Sequence, residues 1–222
     1  MRSTLRQALG RALLPGAGLT HPGPIDALVG SAATTPSTRE MLDRFRTELT
    51  ALGGDVYEAN DADDAVAIVQ RIATRDGSPK ALMWDDSQLP IAGVRDALVG
   101  AGVTVVHQAP ADMQSVESRA ELATCTVGIT GADAGLSETG SIVVVSGPGR
   151  GRLASLLPPV HIAILRQDSI VTSLPFLVAS RPELVTRGAN FVCITGPSRT
   201  ADIEHTLSRG VHGPKEIHVI VI

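Results

Sequence analysis

Aromatic residues are scarce in this chain: three Phe, one Tyr and one Trp make up 2% of its 222 residues. Single-stranded nucleic acid is held by stacking aromatics along a basic groove. Neither is offered by a chain with a net charge of −4 and its acids and bases interspersed. No apolar run approaches the roughly 18 residues of a membrane span. Cysteine is scarce as well. Cys125 and Cys193 stand far apart with no partner at metal-ligand spacing, so no metal site and no redox cofactor is expected in this chain. Both thiols are predicted to be buried and reduced, which fits the cytoplasm.

What the chain does have is aliphatic. Hydrophobic residues make up 43% of it, so its core is built from Val, Ile, Leu and Ala, as in a layered α/β protein. Residues 1–35 read as an N-terminal amphipathic helix (Leu5, Leu9, Ala12 and Leu13 on one stripe) followed by a Gly/Pro-rich loop. Residues 36–222 read as a single domain. Its first helix starts at Pro36-Ser37-Thr38-Arg39-Glu40, carries Leu42, Phe45 and Leu49 on one side, and stops at Gly53-Gly54. Strands then alternate with helices up to Thr130, and strand-like runs resume at Ile142–Val145, Val160–Leu165, Phe191–Thr195 and Ile217–Ile222. Such alternation predicts an α/β fold with three layers, α/β/α, around a mostly parallel sheet.

Two segments carry candidate chemistry. In the first, Glu138 stands in a loop rich in Gly and small residues, Thr130 to Gly140, directly before a strand. A carboxylate there could serve as base, nucleophile or hydrogen-bond acceptor, or be an ordinary solvated acid; Asp133 could bind a ligand or order its own loop. In the second, the apolar run Phe191–Thr195 reads as a strand covered on both faces. It breaks at Gly196-Pro197 before a helical pattern that begins near Ser198 or Thr200. A helix N-terminus with Arg199 beside it suits a carboxylate or phosphate, although Asp202 opposes an anion and simple capping would look the same. The expectation is one cleft at the strand ends, with Glu138 as candidate catalytic group. Thr130, Asp133, Thr139, Gly140, Gly196, Pro197, Ser198, Arg199, Thr200 and Asp202 would be its binding residues. His161, in an apolar strand, reads as a core histidine.

Four blocks in order, Val127–Ser141, Ser155–Ile162, Ile194–Glu204 and Gly210–Pro214, resemble the lactate-utilisation protein C family, the LUD domain. The resemblance implies a NagB/RpiA/CoA-transferase-like fold. It also implies a role beside two iron–sulfur-containing partner proteins in the oxidation of L-lactate to pyruvate, with this chain as the cluster-free member. Ser137-Glu138-Thr139-Gly140 is further similar to the Ser-Glu-Asn-Gly motif around the catalytic Glu of CoA transferases on this fold, with Thr in place of Asn. Three readings stay open. One is an accessory or substrate-handling subunit. The second is a free-standing enzyme acting on a small carboxylate, an acyl-CoA or a sugar phosphate through Glu138. The third is a purely structural binding module.

Overall fold

Ser37 starts the first described helix by reciprocal capping. Its hydroxyl accepts the Glu40 amide at 3.2 Å while the Glu40 carboxylate accepts the Ser37 amide at 2.7 Å, leaving fewer orphan donors at the helix start. The computed structural model describes residues 36–77, 80–108, 115–201, 207–210 and 212–222; the helix and loop expected within residues 1–35 lie outside them. Helix α1 (Thr38–Ala51) buries Leu42, Phe45 and Leu49, spaced for one face of a 3.6-residue period. It ends at Gly53, whose φ of 85° suits glycine.

After α1 come β1 (Asp55–Glu58), α2 (Ala62–Ala73), β2 (Lys80–Met83), α3 (Val94–Gly100), β3 (Thr104–His107), α4 (Val116–Ala123) and β4 (Val127–Ala132). Next are β5 (Ala134–Leu136), β6 (Ser141–Ser146), a 3-10 turn (Arg152–Ser155), β7 (Val160–Leu165), β8 (Ile170–Val171), α5 (Leu174–Ser180) and α6 (Glu183–Arg187). The chain closes with β9 (Asn190–Ile194), β10 (Arg199–Ala201), β11 (Leu207–Arg209) and β12 (Glu216–Val221). Among the described residues no helix is long and apolar enough to cross a membrane.

Six strands in the order β1-β12-β7-β4-β2-β3 form one sheet, all neighbours parallel. The chain winds outward from β2 to β3 and then returns through β4, β7 and β12, so its direction reverses between the adjacent strands β2 and β4. Helices α2 and α3, whose connections run the same way across the sheet, pack against each other, and the right-handed rule for parallel crossovers puts connections that run the opposite way on the other face. The architecture is three-layered, α/β/α, as the alternation predicts.

The return layer contains a second sheet, in the order β8-β5-β6-β9, with antiparallel β5–β6 and β6–β9 pairs. Strand β6 alternates with a period of two: Ile142 and Val144 join the main core, while Val143 and Val145 join a smaller one with Leu177 of α5 and Leu184 of α6. Both faces of β6 are therefore covered. Gly128 shows how closely the layers approach, since a Cβ there would lie 1.8 Å from the Ala154 carbonyl oxygen.

Three sequence expectations are corrected here. Phe191–Thr195 is not a strand of the parallel sheet: β9 is an antiparallel edge strand, half-buried, with Cys193 exposed. A β-branched run fits either setting, because what such residues favour is a pleated, half-buried surface. No helix starts at Ser198 or Thr200, since Arg199–Ala201 pairs with Leu207–Arg209 as a hairpin. The segment Thr130–Gly140 is not a plain loop either, as it holds the end of β4 and all of β5.

Candidate functional site

The predicted residues divide among three places. Thr139 and the segment at Gly196 do meet, at the Ser141 end of β6. Thr139 Oγ1 lies 2.7 Å from Ser141 Oγ, which lies 2.8 Å from Thr195 Oγ1. Both glycines there face α1: a Cβ on Gly140 would come within 2.3 Å of the Leu49 amide nitrogen, and one on Gly196 within 3.0 Å of Leu52. Pro197 is buried. The Ser198 amide donates to the Pro214 carbonyl at 2.8 Å, so it is not a free donor for an anion. Arg199 is exposed, Thr200 lies in β10, and Asp202 falls outside the described residues. Glu138 is exposed, and its amide donates to the Thr172 carbonyl.

Thr130 is in the second place, the core. It is fully buried and its hydroxyl lies 2.9 Å from His161 Nε2. Among the described residues His161 Nδ1 has no partner, and burial pushes the ring's pKa down to about 3, helped by the neighbouring His218. The pair is a buried polar contact within the sheet.

Asp133 occupies the third place, at the C-terminal end of β4. Its amide donates to the Val143 carbonyl, and its Oδ2 accepts the Val145 amide at 2.8 Å. Oδ1 receives Arg150 Nη1 at 2.8 Å and, in addition, Arg187 Nη2; the Arg181 guanidinium donates to its backbone oxygen. The Asp133 side chain is only 7% exposed, against 21% for Arg150 and 46% for Arg187. One carboxylate thus anchors two guanidinium groups, so the three groups together carry one net positive charge; the Asp85 carboxylate lies against Gly149 in the neighbouring turn. Arg150 is further held at 4.9 Å over the Trp84 ring and by its Nε donating to Gln88 Oε1 at 3.0 Å. Trp84 in turn donates to the Gly151 carbonyl.

This cluster lies where ligands collect in open α/β sheets, beyond the carboxyl ends of adjacent strands at which the winding reverses. A chamber of about 180 Å³ opens there, lined by Gln88, Val145, Ser146, Arg150, Arg187 and the Gly147–Pro148 turn among others. A wider groove of about 560 Å³ shares Ser146, Gly147, Pro148 and Arg150 and runs on past Gln108, Leu153 and Asn190. Guanidinium groups with N–H donors left over, facing a small hollow, form a receptor for a carboxylate or phosphate. Among the described residues no group of three His, Cys, Asp or Glu side chains could hold a metal ion.

Of this cluster, sequence reading picks out only Asp133. Arg150 follows Gly147-Pro148-Gly149 at a strand end, a signal that could have marked it. Arg187, on a short exposed helix, carries no such signal.

The sequence matches the LUD domain family over residues 42–222. It is 32% identical over 197 residues to the "Lactate utilization protein C" of Geobacillus sp. (strain WCH70), covering 84% of this chain and 79% of that protein. To the protein of the same name from Shouchella clausii (strain KSM-K16) it is 34% identical over 189 residues, covering 84% and 80%. Among solved structures it is similar to a DUF162 family protein from Deinococcus radiodurans, with a TM-score of 0.55 and 25% identity over 84% of this chain and 98% of the other. By fold and by sequence, the chain belongs to the LUD domain family.

Proposed function

We propose that this chain is an accessory, substrate-handling component of an L-lactate-oxidising system, and that it holds a small carboxylate between Arg150 and Arg187. In this reading it carries no redox cofactor of its own and works in the cytoplasm beside two iron–sulfur-containing partner proteins. Relatives named for lactate utilization support the pathway. The observation that carries the ligand is the sharing of one buried Asp133 oxygen by two guanidinium groups at the wall of a small chamber. A single carboxylate cannot neutralise both, so a second anion is favoured there. Deletion of the protein is expected to abolish growth on L-lactate, and the tagged protein is expected to co-purify with two cluster-bearing proteins. Unimpaired growth, with no second copy of the gene to compensate, would remove the pathway assignment.

A second reading, a free-standing enzyme using Glu138 as base or nucleophile, has in its favour the exposure of that carboxylate beside the Thr139–Ser141–Thr195 hydroxyls. Loss of turnover in Glu138→Gln, on a substrate the parent protein converts, would establish it.

A further inference from the structure

Gln88 stands in the chamber wall with its amide orientation fixed. Arg150 Nε can only donate, and it lies 3.0 Å from one terminal atom of Gln88, which must therefore be the carbonyl Oε1. The other terminal atom is the NH2 group, which has no hydrogen-bond partner among the described residues. The stem of Gln88 is fixed as well. Its backbone amide donates to the Asp85 carbonyl at 2.8 Å, and Gly149 packs so closely on it that a Cβ there would lie 3.1 Å from Gln88 Cγ. Of the carboxylates near it, Asp133 is occupied by Arg150, Arg187 and the Val145 amide, and Asp85 lies against Gly149 with His107 at 3.4 Å.

A ligand in this chamber thus meets two guanidinium groups and, directly beside Arg150, an amide that can only donate. We propose that the chamber selects short acids carrying an oxygen on the carbon next to the carboxylate, 2-oxo and 2-hydroxy acids, and that Gln88 is the specificity-determining residue. This rests on the carboxylate reading of the same chamber and adds a second contact to it. With the carboxylate on the guanidinium groups, a neighbouring oxygen accepts from the Gln88 NH2. An acid lacking that oxygen leaves the donor unpaired. A 2-amino acid would place an ammonium against the donor and the arginines, which repel it.

The test is calorimetric titration of the full chain with pyruvate, L-lactate, propionate and L-alanine. Pyruvate is expected to bind about tenfold more tightly than propionate, the worth of one hydrogen bond, and L-alanine not at all. In Gln88→Glu the acceptor for Arg150 is kept and the NH2 is replaced by oxygen, so the ratio of pyruvate to propionate affinity is expected to fall to about one or below. In Gln88→Ala, which adds no charge, the ratio is also expected to fall to about one. The inference is overturned if the parent binds pyruvate and propionate equally, or if both variants keep the pyruvate preference. The carboxylate chamber would survive either result if Arg187→Gln weakens both acids. Absence of binding by every one of these acids would overturn the inference and the carboxylate reading together.

Discussion

Strand β6 runs between two ends that the chain finishes in opposite ways. At the Ser141 end, Gly140 and Gly196 let the backbone close directly onto α1, hydroxyls satisfy one another, and the candidate carboxylate, Glu138, is exposed to solvent. At the Ser146 end, about 17 Å away along a six-residue strand, two arginines share one buried acid beside an open chamber. The first end spends its glycines on packing. The second holds a charge imbalance that a ligand can relieve. Glycine-rich sequence is thus a poor guide to binding by itself, because close approach to a neighbouring helix demands the same residues as close approach to a ligand.

The largest expected effect is at the closed end. Gly140 has a φ of 62°, and its Cβ would fall 2.3 Å from the Leu49 nitrogen, a backbone atom that cannot move aside alone. Gly140→Ala is expected to lower unfolding free energy by about 3 kcal/mol or more, measured by urea denaturation. A neutral substitution would mean that this end is looser than its glycines imply.

Next comes the acid that organises the open end. Asp133→Asn removes the charge shared by Arg150 and Arg187, and with it one well-buried ion-pair partner. A loss of about 2 kcal/mol is expected, below that of a fully buried pair because both arginines reach solvent. A stability loss below about 0.5 kcal/mol would mean that the arginines are not held by this acid.

Thr130 and His161 belong to neither end, and their burial makes a separate prediction for pH. The His161 ring has a folded-state pKa of about 3 against 6.5 in the unfolded chain. Above about pH 6.5 both states are neutral and the ring adds no pH dependence. As the pH falls below that, the unfolded chain takes up a proton that the buried ring refuses, so stability drops by up to about 1.4 kcal/mol per pH unit until near pH 3. At pH 5, His161→Gln is expected to have lost about 2 kcal/mol less than the parent, relative to each protein at pH 7.5. Parallel stability curves would place His161 in contact with water.

The smallest expected effect is that of Glu138→Gln. With its side chain exposed, its amide already bonded to Thr172, and the chamber at the other end of β6, it is expected to change stability by less than about 0.5 kcal/mol.

Much of this frame is legible in the sequence wherever local signals agree with the tertiary setting. The Ser37–Glu40 box, the Leu42–Phe45–Leu49 stripe and the aliphatic runs of β4, β7 and β12 each mean one thing only. The stretch after Ile194 is read wrongly because Gly-Pro-Ser followed by polar residues suits both a helix start and a hairpin. The Leu207–Arg209 strand decides between them, through pairing no local pattern encodes. The arginine cluster is harder still. Arg150 and Arg187 are 37 positions apart, and their meeting depends on how β6, α6 and β4 are layered. Asp133 was recognisable as a candidate, but not the partners that give it meaning.

Titration of the protein with L-lactate, run on Arg187→Gln and Glu138→Gln side by side, tests the difference between the two ends most directly. Arg187 contributes a charged donor at the chamber wall and is nearly half exposed. Its loss is expected to raise Kd by ten- to a hundredfold with little change in stability, whereas Glu138→Gln is expected to bind as the parent does. Unchanged affinity in Arg187→Gln together with lost affinity in Glu138→Gln would contradict this, and would move the ligand to the closed end.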